Sequence, residues 1–253
     1  MDLGLKGRRA LVTAASKGLG RACAHALAAE GARVFISSRD EALLEKVAKD
    51  IGAAGWHAAD MSVAGGPDSA VEAAAAGLGG LDILVVNAGG PPAANFQGTS
   101  LENWDAAHQL TLMSAVRLVK SALPHLKQSD QGRIVIVTSV SVRQPIPQLV
   151  LSNSVRAAVT GMAKTLSGEI GPDGITVNCL APGAVLTDRL RHLAPAGVDI
   201  EDYIKTSAEA VPLRRMGDPA EFGATCAFLC SKQAGFITGQ TIGVDGGTLV
   251  GVH

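Results

Sequence analysis

The sequence predicts an α/β fold: a doubly wound, mostly parallel sheet with helices on both faces. Three observations predict it. Short apolar runs alternate with longer stretches of helical periodicity, the pattern of successive βαβ units. The runs are nearly continuous in Val, Ile and Leu, as strands buried on both faces must be. A glycine-bearing turn, Thr13-Ala14-Ala15-Ser16-Lys17-Gly18-Leu19-Gly20, joins the first apolar run to the first helical stretch.

The elements follow in order. Ala10 to Val12 reads as the first strand and Gly18 to Glu30 as the first helix. Arg33 to Ser37 is the second strand, and Asp40 to Ile51 a helix that Asp40 is placed to cap. Trp56 to Ala59 is a short third strand, followed by an Ala-rich helix over Val63 to Leu78 and a fourth strand over Leu81 to Val86. One long helix is expected over Leu101 to Lys127, then a β-branched fifth strand over Gly132 to Thr138. Leu149 to Ile170 is helical and stops at Gly171-Pro172. Ile175 to Leu180 is the sixth strand, Pro219 to Cys230 a helix, and Gln240 to Val244 the last strand. No composition break divides the chain, so residues 1–253 read as a single domain. The exception to the rhythm is an irregular stretch near Ala181 to Pro212, longer than ordinary connections, with about 184–213 expected to act as a substrate lid.

Composition excludes several function classes. The 22 basic and 23 acidic residues leave a net charge of −1 with no basic run, which argues against nucleic acid as partner. The four cysteines fit no zinc spacing and read as buried reduced thiols, so no metal is expected. The N-terminus is charged and runs straight into a strand pattern, and no apolar run has transmembrane length; a cytoplasmic protein with no membrane partner is expected.

The turn after the first strand lies where open α/β sheets bind ligands. A helix N-terminus there presents free N–H groups and a positive dipole end to a pyrophosphate. Gly18 and Gly20 allow backbone approach and tight helix packing. At the end of the second strand, where an enzyme for NAD usually carries an acid, stand Ser38 and Arg39, and Lys17 precedes Gly18. Two cations without an acid suit a ribose 2′-phosphate, which predicts NADP(H) in preference to NAD(H).

The glycine turn resembles the T-G-x-x-x-G-x-G motif of the short-chain dehydrogenase/reductase superfamily, a Rossmann-type fold. Asp60, Asn87-Ala88-Gly89, Ala181-Pro182-Gly183 with Thr187, Ile237 to Gln240 and Val244 to Gly247 resemble its later motifs in the same order. The likeness spans essentially the whole chain and is greatest to the 3-oxoacyl-carrier-protein reductases. It implies that Thr13, Ser16, Lys17, Gly18, Leu19 and Gly20 cradle the cofactor, with Ser38 and Arg39 at its 2′-position. It also implies that Asp60 and Met61 lie at the adenine, Asn87, Ala88 and Gly89 along the dinucleotide, and Pro182, Gly183, Val185 and Thr187 around the nicotinamide. Ala14 stands in place of the first glycine and Val86 in place of the first Asn of N-N-A-G; weaker or reshaped binding is expected, not its loss.

The family's catalytic residues are a Ser, a Tyr, a Lys four residues after the Tyr, and a helix Asn. Ser139 matches the Ser, but the Tyr position is Ser152, the Lys position Arg156 and the Asn position Thr111. An alkyl hydroxyl is a far weaker acid than a phenol, and Arg156 stays protonated. Arg156 can instead bind the nicotinamide ribose, stabilise an alkoxide or pair with a carboxylate. Three readings stand open: a carbonyl/alcohol oxidoreductase with a rebuilt site, 3-oxoacyl substrates among its options; a nucleotide-binding module without turnover, as sensor or partner subunit; and an imine-type reductase. In the first, Ser139 and Ser152 orient a small-molecule substrate, and the proton comes from water, the substrate, or a loop residue such as Tyr203 or His192. The resemblance also implies a homo-oligomer, dimer or tetramer. Ala106, Ala107, Leu110, Met113 and Ser114 offer one small-residue face, Ala157 to Met162 another, and Phe228, Phe236 and Val250 a second interface.

Overall fold

The structure is a computed structural model that describes every residue except His192, Pro195, Ala196 and His253. Its strands are β1 (Arg9–Thr13), β2 (Arg33–Ser38), β3 (Gly55–Ala58), β4 (Ile83–Val86), β5 (Arg133–Val137), β6 (Thr176–Pro182) and β7 (Thr241–Val244). They form one sheet in the order β3-β2-β1-β4-β5-β6-β7, with every neighbouring pair parallel. The chain winds outward from β1 to β3, then returns to lay β4 beside β1. That reversal leaves a crevice at the carboxyl ends of β1 and β4.

The helices are α1 (Gly18–Ala29), α2 (Glu41–Ile51), α3 (Gly66–Leu78), α4 (Leu101–Ala107), α5 (Ser114–Leu126), α6 (Val150–Glu169), α7 (Asp188–Arg191), α8 (Ile200–Ala210) and α9 (Pro219–Cys230). Successive strand residues feed opposite cores, as the period of two requires. Ala10, Val12, Ile83, Val85 and Val135 pack toward α1, α2 and α9. Leu11, Leu84, Val86, Ile134 and Ile136 pack toward α3, α5 and α6. With few aromatic residues, both cores are filled by small and branched aliphatic side chains, and Phe222 is the one aromatic among the largest fully buried residues described. Asp40 caps α2 by accepting from Leu43 N at 3.0 Å, as expected.

At the amino ends of the strands, Asp82 ties the sheet together. Its carboxylate accepts from Arg9 N, Nε and Nη2 at 2.8, 2.9 and 2.7 Å, and from Ser129 Oγ at 2.7 Å. Burial pushes its pKa upward, but these hydrogen bonds and the Arg9 charge outweigh it and hold the carboxyl at about 2. All four cysteines are buried and free. Burial raises the Cys179 thiol to about 11, so it stays protonated and unreactive at neutral pH.

Two expectations are corrected. The helix expected over Leu101 to Lys127 is continuous in direction but contains a π-helical turn, His108–Met113, between α4 and α5. Ser114 Oγ bonds back to Leu110 O at 2.5 Å there, and such back-bonding perturbs the i to i−4 ladder. The stretch after β6 is not irregular throughout, because it holds α7 and α8. Asp199 starts α8 by accepting from Glu201 N and Asp202 N at 2.9 and 3.2 Å. No described residue of α8 is buried. Of the expected interface residues, Ala107 packs inside the subunit against Leu151 and Val155, and Ser114 is also buried. Among the described residues, no helix is long and apolar enough to cross a membrane, and no cluster of three metal-ligating side chains occurs.

Candidate active site and cofactor crevice

The turn after β1 and the turn after β4 are tied together across the crevice. Thr13 Oγ1 donates to Asn87 O at 2.7 Å and accepts from Asn87 N at 2.9 Å. Asn87 Nδ2 donates to Ala14 O at 3.3 Å. Ala14 holds φ at 46°, the left-handed region that disfavours a residue with a Cβ. Its carbonyl thereby turns toward α1, where a Cβ on Gly20 would lie 2.3 Å from it, so only glycine fits position 20. Lys17 precedes α1 and its side chain makes no capping hydrogen bond, so the first turn of α1 keeps donors free for an anion. Thr187 reaches this turn, with its Cγ2 3.7 Å from where a Gly18 Cβ would be. These features fit a dinucleotide pyrophosphate.

At the end of β2, Ser38 is buried and its Oγ has no hydrogen-bond partner, while Lys17 and Arg39 are exposed. Asp60 accepts at 2.8 Å from Ser62 N and at 2.7 Å from Ser62 Oγ. Burial works against its charge, yet the two Ser62 bonds and the charge of Arg39 hold it below the usual carboxylate range. The charge of Arg39 is within reach of Asp60. Met61 is buried beside it.

The second half of the site sits at the ends of β5 and β6. Ser139 follows β5, and its Oγ accepts from Ser141 N at 3.1 Å, which leaves its own proton free to donate. Ser152 and Arg156 lie one turn apart on α6, and both are buried. Arg156 Nη1 donates to Val137 O and Thr138 O at 3.0 and 3.1 Å, so the end of β5 clamps the guanidinium. Burial, then the charge of Arg189, lowers its pKa to about 10, leaving it cationic at neutral pH. Thr111 lies in the π-turn with its Oγ1 buried and without a partner. It lines a small cavity of ≈ 10 Å³ with Val86, Ala88, Ala115, Val137, Arg156 and others, at the lower limit for one water. Helix irregularities of this kind cluster at functional sites.

The sequence-predicted residues therefore gather along one edge of the sheet. Thr13, Gly18, Gly20, Asn87 and Thr187 are directly interlinked or in contact. Pro182 closes β6, and the buried Val185 bridges to Gly217 beyond it. Tyr203 is in α8, away from the buried core, and His192 lies outside the described residues. Arg189 lies in α7, after the turn that ends β6. It donates from Nη2 to Pro91 O at 2.7 Å, and its guanidinium rests against Gly90, where a Cβ would lie 2.8 Å from Cζ. Its influence on Arg156 was invisible in the sequence, because the two are 33 positions apart in the chain.

A seven-stranded parallel sheet with a crevice at its strand reversal is a doubly wound, Rossmann-type fold. Residues 13–248 match the family described as enoyl-(acyl carrier protein) reductase. The chain is 33% identical to the Sus scrofa protein named dehydrogenase/reductase SDR family member 4 over 249 residues, 96% of this chain and 88% of the relative. It belongs to the short-chain dehydrogenase/reductase family of oxidoreductases. It superposes with a TM-score of 0.94 on L-sorbose reductase from Gluconobacter frateurii, complexed with NADPH and L-sorbose, at 32% identity over 100% of both chains. YwfH, an NADPH-dependent reductase involved in bacilysin biosynthesis, gives 0.91 at 29% identity, over 98% of this chain and 100% of that one.

Proposed function

We propose that the protein is an NADP(H)-dependent reductase or dehydrogenase for a carbonyl/alcohol pair, with a catalytic site rebuilt around Ser139, Ser152 and Arg156. The observation that carries this reading is the clamped, buried guanidinium of Arg156 one turn from Ser152 and behind Ser139, beside a crevice whose turns fit a dinucleotide. Thr13, Ser16 and the residues Lys17 to Gly20 would hold the pyrophosphate, and Ser38, Lys17 and Arg39 the 2′-phosphate. Asp60 with Met61 would meet the adenine, and Asn87, Ala88, Gly89, Pro182, Gly183, Val185 and Thr187 the nicotinamide half. The unpartnered Ser38 Oγ supports a phosphate at that corner, and NADPH complexes among the structural relatives agree with it.

The cofactor, when bound, supplies or accepts the hydride. The chain's own residues do the rest. Ser139 Oγ, already an acceptor toward Ser141, donates to the substrate oxygen. Ser152 orients the same oxygen. Arg156 stabilises negative charge that develops there, acting as a fixed cation in a water-poor site. It does not give up its proton at neutral pH, so the proton that completes the alcohol comes from solvent at the mouth of the site. In this reading the described part of about 184–213 would border the substrate, and a 3-oxoacyl-type carbonyl is one candidate substrate class.

Titration of the full chain with NADPH and NADH, followed by fluorescence, and then a carbonyl and imine panel, tests the proposal. Tighter NADPH binding and measurable oxidation are expected, with kcat/KM reduced roughly 100-fold or more in Arg156→Met. Tight binding with no oxidation across the panel would replace this reading with that of a nucleotide-binding module, which the missing phenol favours. We further propose assembly as a dimer or tetramer that covers Phe236 and Val250, which are exposed at 104% and 83%, together with Phe228. Strictly monomeric elution at micromolar concentration would remove that proposal.

A further inference from the structure

Two guanidinium groups lie beyond the carboxyl ends of the neighbouring strands β4 and β5, and neither has an ion-pair partner among the described residues. Arg156 is more than nine-tenths buried, and only its Nη1 is engaged, on Val137 O and Thr138 O. Its Nε and Nη2 have no protein partner among the described residues. Arg189, on α7 after the β6 turn, is tethered by Nη2 to Pro91 O and seated on Gly90. Glycine at position 90 is what lets it lie there. Neither arginine takes part in an ion pair between described residues. β4 and β5 are neighbours, so the turn after β4 that holds Arg189 and the strand end that clamps Arg156 lie on the same side of the sheet, and the charge of Arg189 lowers the pKa of Arg156. Burial also lowers Arg189. Holding two like charges in this way opposes folding unless an anion joins them.

We propose that the substrate carries a carboxylate, bound between Arg156 and Arg189 while its carbonyl carbon faces Ser139. The inference rests on the reductase reading above and names its substrate class. A guanidinium fork suits a carboxylate because two parallel N–H donors match its two oxygens. Thr138, on which Arg156 is clamped, is the immediate neighbour of Ser139. The carboxylate and the reacting carbonyl therefore lie close together, as in a 2-oxo or 3-oxo acid. The cofactor's own phosphates have a separate cradle at the start of α1 and the end of β2, which leaves this pair for the substrate.

The test compares acids with their esters on the full-length protein. NADPH oxidation is followed with 2-oxobutanoate against methyl 2-oxobutanoate, and with 3-oxobutanoate against methyl 3-oxobutanoate. The same pairs are run on Arg189→Met, with NADPH affinity measured independently by fluorescence. Expected is a kcat/KM for one acid roughly tenfold to a hundredfold above that for its ester, an advantage removed by Arg189→Met with NADPH affinity unchanged. Equal or better turnover of the esters overturns the proposal. So does an Arg189→Met variant that weakens NADPH binding and lowers acid and ester alike, which would give the guanidinium to the cofactor's phosphates. If neither pair turns over, calorimetry on the NADPH-loaded chain compares 3-hydroxybutanoate with its methyl ester. Selective binding of the acid supports the proposal, and equal or absent binding sinks it. Failure of NADPH to bind at all would instead remove the reductase reading itself.

Discussion

At the scale of single residues, Ala14 concentrates the tension in this site. Its φ of 46° places a Cβ where glycine is normally required, at a cost of about 1–2 kcal/mol. The position is held because its carbonyl is needed by Asn87 Nδ2 and its turn packs on Gly20. Ala14→Gly is expected to raise the unfolding free energy by about 1 kcal/mol in urea titration, since glycine adopts this conformation without penalty. An unchanged or lower stability would show that the turn is relaxed with alanine. Residue types at this scale were readable in the sequence, which offers Ser139, Ser152, Arg156 and Thr111 as candidates. Their states were not. That Arg156 is clamped by two carbonyls and that Thr111 Oγ1 is orphaned depend on β5 and α5, which no spacing in α6 reveals.

At the scale of elements, the regular βαβ rhythm was legible because each strand had to be apolar on both faces and each helix on one. The boundaries moved by a few residues: the third helix starts at Gly66 rather than Val63, because Gly65 holds φ at 84° and ends the preceding turn. The π-turn at His108–Met113 was not legible, since its residues keep ordinary helical periodicity. α8 was missed although Ile200, Tyr203, Ile204 and Ala208 recur at helical spacing along its half-buried face; its low overall hydrophobicity made it read as loop. Its start depends on the Asp199 cap. Asp199→Ala should lower local stability by about 1 kcal/mol, read as faster amide exchange across Ile200 to Ala210, with the global urea midpoint unchanged. A shifted global midpoint would mean that α8 is coupled to the core after all.

At the scale of the whole molecule, the sheet is stapled at the end opposite the site. Asp82 joins β1 through Arg9, and its main chain bonds to Arg9 O and Arg133 N. Its carboxyl is held at about 2, below the unfolded value near 3.9, so its stabilising contribution is complete above about pH 4. That contribution, about 2 kcal/mol, is lost as the pH falls through 2. Asp82→Asn should therefore be less stable than the parent at pH 7, and the two urea curves should converge near pH 2. A stability difference that persists at low pH would place the effect in packing rather than in charge. The edge at the other end holds the crevice with Arg156 and Arg189, which form no ion pair among the described residues.

The alternation of strands and helices and the parallel, doubly wound sheet were legible in the chain's own pattern. Burial, glycine placement and turn length are local properties that each segment carries with it. Three features arose only when the segments met. Arg189 came to rest on Gly90 within electrostatic reach of Arg156, 33 positions earlier in the chain. Arg39 came within reach of Asp60, and Thr111 lost its hydrogen-bond partners. All three are consequences of long-range packing, which brings distant charges together and excludes water from them, and neither effect is written in the spacing of residues along one strand or helix.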